Sequence, residues 1–140
     1  AGVELPGDSL EELGGVTVAV PNGTSIAGLV EEANTALAEA GNEQINVQVL
    51  PTTTDTFAAL DAGTVDVVGT TTTAAAYYVG LNPDNFEFLG DAFGLIQTGF
   101  GINKENPELT AAIEEAFNIL VENGTYDSLI AEFNMEGSEL

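Results

Sequence analysis

The sequence lacks cysteine, histidine, tryptophan and arginine, and its one basic residue is Lys104. Without cysteine there is no disulfide framework, no thiolate metal site and no cysteine nucleophile. Without histidine as well, the sequence provides neither a Ser-His-Asp triad nor the usual ligands of zinc. No Asp-x-Asp-x-Asp-Gly calcium loop occurs. The sequence therefore predicts a protein that is not an enzyme and has no metal site and no cofactor.

The near-absence of basic residues leaves the 140-residue chain with 23 acidic residues and a formal net charge of −22. Because almost nothing is present to neutralise phosphates, nucleic acid and anionic membrane surfaces are excluded as partners. Three origins of this composition stay open: an engineered or reduced-alphabet protein, adaptation to salt, and a naturally acidic protein.

The net charge predicts a stability that depends on salt. Like charges without counter-charges destabilise the compact state, and dissolved ions screen them. We expect the melting temperature, followed by circular dichroism, to rise between low and molar salt. A melting temperature that stays constant over that range would contradict this prediction.

Hydropathy is typical of a folded domain. Hydrophobic residues make up 44% of the chain, the mean hydropathy is +0.17, and no apolar run is long enough to cross a membrane. The first residues show neither the basic nor the apolar segment of a signal peptide. We expect a periplasmic or extracellular location if the protein is natural, and a recombinant origin otherwise.

Hydrophobic periodicity and turn residues predict alternating strands and helices. Strands are predicted over residues 16–20, 45–50, 65–68, 86–89 and 95–102. Helices are predicted over 24–40, 55–62, 74–79, 107–123 and 126–133, with a helical turn over 10–13. Ser9 with Glu12 fits a capping box, and Asp55 is predicted to cap its helix.

This alternation predicts an α/β fold with three αβα layers and a mostly parallel, flavodoxin-like sheet, one late strand being antiparallel. We expect one compact domain: a lead-in over residues 1–15, an α/β lobe over 16–95, and a crossing strand with two terminal helices over 96–140. Ligands of such sheets bind outside the carboxyl ends of the strands.

Polar, uncharged residues follow the first and third predicted strands. The segment Asn22-Gly23-Thr24-Ser25 is predicted as a turn into a helix, where backbone N–H groups and hydroxyls suit an anion. Residues 70–73, after the third predicted strand, are predicted as a second turn, made of four threonines. The alternative for the first turn is that Thr24 only caps its own helix.

Four stretches in order resemble a known family. They are residues 9–25 (SLEELGGVTVAVPNGTS), 59–68 (ALDAGTVDVV), 99–109 (GFGINKENPEL) and 123–130 (NGTYDSLI). Together they resemble the second lobe and C-terminal helices of polar-amino-acid solute-binding proteins of bacterial ABC transporters, which have the type II periplasmic-binding-protein fold.

The resemblance implies roles for seven residues. Asn22, Gly23, Thr24 and Ser25 correspond to the turn that binds the α-carboxylate of an amino-acid ligand. The segment Thr70-Thr71-Thr72 corresponds to the second part of the site. Thr71 stands where the family has an Asp that pairs with the α-ammonium, so it supplies a hydroxyl but no charge.

The family's first lobe, which supplies an Arg for the ligand carboxylate, has no counterpart in this chain. One lobe covers one face of a ligand, so we expect weak binding of an amino acid or small carboxylate. The alternative function is an isolated or engineered α/β scaffold with no specific ligand. The apolar side chains of the terminal helices also predict one of two arrangements. Either these helices repack on the lobe, or two chains form a homodimer through them, for example by exchanging the helices.

Overall fold

The computed structural model describes residues 5–94, 99–133 and 135. The chain divides into two compact units, Ala1–Phe93 and Gly94–Leu140. The first unit contains a short 3-10 helix Leu10–Glu12, β1 Thr17–Pro21, α1 Ser25–Glu39, β2 Asn46–Leu50, α2 Thr53–Asp61, β3 Val67–Val68 and α3 Thr72–Leu81. The second unit contains α4 Pro107–Glu122 and α5 Thr125–Glu132.

The first unit is built on a small open sheet of three parallel strands in the order β2-β1-β3. Val18 of the central strand pairs with Val47 of β2 and with Val67 of β3. Helices flank this sheet, so the predicted α/β class with a parallel sheet is confirmed. The antiparallel late strand stays a prediction.

The core of the first unit lies between β1 and α1. Val18 and Val20 alternate with Ala19 along β1, so the two valines point to one face of the sheet. The buried face of α1 meets them through residues at helical spacing: Ile26, Val30, Ala33 and Leu37. This spacing predicted the helix. α1 ends where Gly41 takes a φ of +75° and Asn42 N–H donates to the carbonyl of Leu37, a Schellman ending.

An asparagine side chain joins α1 to the start of β2. The Asn34 amide accepts a hydrogen bond from Ile45 N–H at 2.6 Å and donates one to the Ile45 carbonyl at 3.0 Å. Ile45 is only 3% exposed, so water has little access to its backbone groups. The Asn34 side chain therefore satisfies a buried peptide unit in the way that a neighbouring strand would.

Aromatic stacking fixes α3 against α2. The ring of Phe57 stacks on Tyr78 with centroids 3.9 Å apart and meets the edge of Phe86 at 5.5 Å. The predicted strand over residues 86–89 is wrong, because Asn82 at the end of α3 accepts hydrogen bonds from the N–H groups of Asn85 and Phe86 and starts a turn. The Phe86 side chain then packs on a helix and not in a sheet.

The structure corrects two predicted caps. Thr52, and not Asp55, caps α2: the Thr52 hydroxyl accepts from Asp55 N–H, and the Asp55 carboxylate accepts from Thr52 N–H. Ser9 makes no capping bond to the backbone; its hydroxyl donates to the carboxylate of Glu12 at 3.1 Å. In both pairs a hydroxyl residue precedes an acidic residue by three positions. The residue types alone did not show whether the hydroxyl accepts a hydrogen bond from the backbone of the helix.

Two predicted strands differ in extent. The third begins at Val67 and not at residue 65. Asp66 just before it bonds to Thr17 of β1 through its backbone N–H, which donates to the Thr17 carbonyl at 2.9 Å, and through its carboxylate, which accepts from Thr17 N–H at 3.0 Å. For the predicted strand over 95–102, residues 95–98 lie outside the described residues, and residues 99–102 have no regular secondary structure.

The second unit is a pair of helices in contact. The ring of Phe117 on α4 meets Tyr126 of α5 at 5.6 Å and Phe100 at 6.1 Å. Among the apolar side chains of these helices that predicted repacking or a homodimer, Phe117 and Ile130 are half-buried, whereas Leu120, Leu129 and Phe133 are exposed.

Candidate functional site

The turn after β1 is held at both ends by hydrogen bonds. Asn22 N–H donates to the carbonyl of Leu50 at 2.8 Å, which fixes the turn to the end of β2. Gly23 then adopts a φ of +74°, a left-handed conformation that costs other residues energy. The Thr24 hydroxyl donates to the carbonyl of Pro21 at 2.9 Å. Asn22, Gly23 and Ser25 are exposed, and Thr24 is half-buried.

The first turn of α1 has no cap from its N-cap side chain. Thr24 occupies the N-cap position, but its hydroxyl makes no capping bond. By contrast, Thr52 caps α2 and Thr71 caps α3. The reading in which Thr24 only caps its helix is therefore wrong. The N-terminal N–H groups of α1 need partners from water or a ligand, and the helix dipole favours an anion there.

The loop after β3 lies beside this turn. Gly69 N–H donates to the carbonyl of Ala19 at 2.9 Å, which extends the contact between the two strands. A Cβ atom on Gly69 would lie 3.0 Å from Ile26 Cγ2, at the start of α1. The absence of a side chain at Gly69 thus lets the N-terminal turn of α1 approach the segment that follows β3.

The structure places the three threonines of this segment at the start of α3. Thr71 is its N-cap, and its hydroxyl accepts from Ala74 N–H at 3.3 Å. Thr72 is the first residue of the helix and not part of a turn over residues 70–73, as the sequence had suggested. Thr70 and Thr72 are half-buried, and Thr71 is exposed.

The seven predicted site residues therefore lie at the carboxyl ends of two adjacent parallel strands, β1 and β3. They offer hydroxyls, one amide and backbone N–H groups, and none carries a charge. Such a surface can donate hydrogen bonds to a carboxylate but has no counter-charge for an ammonium group. In the described part of the chain, no cluster of three or more acidic side chains could hold a metal ion.

Concave surface is found elsewhere on the first unit. A shallow cavity of about 320 Å³ lies beside the C-terminal end of α1, whereas the polar turn lies at its N-terminal end. Glu11, Glu12 and Glu43 contribute to its lining, so it does not suit an anion. Within the described residues of the first unit, Asn22, Gly23, Ser25 and Thr71 are exposed, so the candidate site is an open surface there.

A contact near α2 was not predicted. The Thr54 hydroxyl lies 2.9 Å from the hydroxyl of Tyr78, and Tyr77 meets the Tyr78 ring at 5.3 Å. The two hydroxyls are 24 residues apart in the chain, so no local pattern announces the contact. The only feature of the sequence that could have indicated it is the pair Tyr77-Tyr78. Two consecutive tyrosines, however, predict buried side chains as readily as a binding site.

No protein-family model matches the sequence, and no curated protein does. Among the described helices, none is long and apolar enough to cross a membrane. Solved structures do match, and the chain spans about half the length of each of those compared below.

Three solved structures illustrate the likeness. An ancestral arginine-binding protein bound to glutamine has a TM-score of 0.65 and 29% identity, with 96% of this chain and 56% of that chain covered. An ancestral arginine-binding protein bound to arginine has a TM-score of 0.63 and 29% identity, with 91% of this chain and 54% of that chain covered. A mutant of ArgBP from T. maritima has a TM-score of 0.61 and 26% identity, with 96% of this chain and 54% of that chain covered.

An ancestral amino acid-binding protein, a precursor of cyclohexadienyl dehydratase, is similar in fold only. Its TM-score is 0.57 at 22% identity, with 91% of this chain and 52% of that chain covered. The four structures named here are amino-acid-binding proteins, and this chain has the α/β fold of one lobe of a periplasmic solute-binding protein.

Proposed function

We propose that this chain is a non-enzymatic binding lobe for an amino acid or small carboxylate, with Asn22–Ser25 as the carboxylate-binding turn. One observation supports this most: a glycine turn leads from the central strand into a helix whose N-cap side chain does not cap it. The solved structures that resemble this chain include proteins bound to arginine and to glutamine.

The affinity of the isolated chain is expected to be low. The site is open to solvent, whereas tight small-molecule sites bury most of the ligand. Thr71 supplies a hydroxyl where the family has a carboxylate, so the α-ammonium group of an amino acid gains no ion pair. The whole solute-binding proteins are about twice the length of this chain, and a second lobe would enclose the ligand.

Self-association through α4 and α5 is part of the same proposal, as are a role in ABC transport and a periplasmic or extracellular location. The exposed Leu120, Leu129 and Phe133 support self-association.

The second candidate function is a scaffold without a specific ligand. It is favoured by the absence of charge at the candidate site. The acidic composition fits either candidate.

Amide NMR titration in moderate salt separates the two functions. With glutamine, arginine and small carboxylates as ligands, we expect shifts concentrated at Gly23–Ser25 and Thr70–Thr72. The Gly23→Ala variant should lose these shifts, because a left-handed residue with a side chain is strained by roughly 1–2 kcal/mol and the turn relaxes.

Gly41→Ala is the matched control. Gly41 has a φ of +75°, almost the same as Gly23, and at both positions an added Cβ meets no atom within 4 Å. The two substitutions thus impose the same backbone strain at opposite ends of α1. Binding that survives Gly41→Ala but not Gly23→Ala supports the site. Site amides that stay still in a well-dispersed wild-type spectrum would favour the scaffold.

A further inference from the structure

The outer edge of β2 combines exposed apolar side chains with unpaired backbone groups. In the described part of the chain, β2 pairs only with β1 and lies at the edge of the sheet. Val47 is 40% exposed and Val49 53% exposed. Strand edges of this kind are templates for pairing with another strand.

The hydrogen bonds define which backbone groups point outward. Asn46 N–H donates to the carbonyl of Val16, and the Leu50 carbonyl accepts from Asn22 N–H. Because backbone groups alternate along a strand, residues 46, 48 and 50 face β1, while Val47 and Val49 face outward. Ile45 is already paired with Asn34. The open part of the edge therefore consists of two residues.

We propose that this edge pairs with the same edge of a second copy of the chain, antiparallel and centred on Gln48. In this register Val47 lies opposite Val49 of the second copy, and Val49 opposite its Val47. Both are hydrogen-bonded pairs, so four outward backbone bonds form at once. The exposed valines of each copy lie on the same face as Val18 and Val20 and contact each other across the pair. The two sheets join into one of six strands.

The charge distribution favours this edge as the place where two copies of the chain meet. The chain carries a net charge of −22, so two copies repel wherever their acidic residues meet. Residues 44–54 contain no charged side chain, and Glu43 and Asp55 flank them. In the register centred on Gln48, residue 43 lies opposite residue 53, so Glu43 and Asp55 are not paired. A two-fold contact of this kind closes after two chains.

Hydrogen exchange of the wild-type protein in molar salt is the direct test. On raising the protein concentration, we expect the exchange rates of the Val47 and Val49 amides to fall together, while those of amides 46 and 48 stay slow throughout. The same samples should show dimer by sedimentation equilibrium. Exchange at Val47 and Val49 that does not change while dimer forms would overturn the proposal.

Three variants sharpen the result. Val47→Pro removes an outward N–H group that makes no bond to β1, so it should abolish the dimer while circular dichroism stays that of the folded chain. Val49→Thr keeps the N–H group and the branched shape, and should retain the dimer. Leu129→Asn changes only the terminal-helix face. Loss of the dimer in Leu129→Asn, with its persistence in Val47→Pro, would assign association to the helices instead. Ligand titration of Val47→Pro is unaffected in either case, so the candidate binding site is tested separately.

Discussion

Replacement of Leu37 by alanine is expected to lower the free energy of unfolding by about 2–5 kcal/mol. Leu37 is 4% exposed and packs with Val30 and Ala33 in the cluster between α1 and β1. Truncation removes buried methyl groups and leaves a cavity that the neighbouring side chains fill only partly. Single domains are stable by about 5–15 kcal/mol, so this one change removes a large share of the total.

Leu29→Ala is the control for this experiment. Leu29 lies on the same helix but is only half-buried, and the two substitutions change helix propensity equally. We expect a loss of about 1 kcal/mol for it, measured by urea denaturation with both variants in the same high-salt buffer. Equal losses at the two positions would mean that the described face of α1 is not the one packed on the sheet.

Thr71→Asp is expected to raise the affinity for an α-amino acid by tenfold or more, if the proposed site binds one. A hydrogen bond to a charged group contributes about 1.5–3 kcal/mol, and 1.4 kcal/mol corresponds to tenfold. Asp is also a good N-cap, so the bond that Thr71 now accepts from Ala74 N–H is replaced and α3 is kept. The substitution supplies the counter-charge that the resemblance implies at this position.

Two comparisons make the test of Thr71→Asp specific. Thr71→Asn has nearly the same shape as the Asp variant and caps as well, but it has no charge and should not raise the affinity. The des-amino analogue of glutamine should bind more weakly to Thr71→Asp than to the wild type, because two carboxylates repel. Calorimetric titrations in which Asp and Asn variants bind glutamine equally would exclude an ammonium contact at Thr71.

The sequence predicted the first half of the fold well, because its signals there are local. The apolar residues of α1 recur every three or four positions, and β1 is a short apolar run ended by Pro21-Asn22-Gly23. The strand over 86–89 failed for the opposite reason. Phe86 and Phe88 alternate with polar residues, but the ring that Phe86 contacts belongs to Phe57, far away in the chain. Alternation could not reveal a tertiary contact with a helix.

The sequence predicted where Asn22–Ser25 and Thr70–Thr72 lie, at the ends of β1 and β3, but not their hydrogen bonds, and their role in binding stays a prediction. Strand ends and a resemblance identified Asn22–Ser25 and Thr70–Thr72. That Thr24 donates to Pro21 and leaves α1 uncapped, whereas Thr71 caps α3, depends on side-chain rotation. Both residues are threonines before a helix, so their types alone predict the same role. The approach of Gly69 to Ile26 was likewise invisible, because it joins residues 43 positions apart.

The pairing of Asn34 with Ile45 also bears on aggregation. Residues 45–50 read Ile-Asn-Val-Gln-Val-Leu, six residues with high β-propensity, no charge and no proline, which is the composition of a fibril-forming segment. The Asn34 side chain bonds both backbone groups of Ile45, so fewer residues of this segment are free to pair with a strand of a fibril. In the folded chain β1 covers one edge of this segment and Asn34 covers its first residue on the other edge, so local unfolding of α1 around Asn34 would lengthen the open edge from two residues to three.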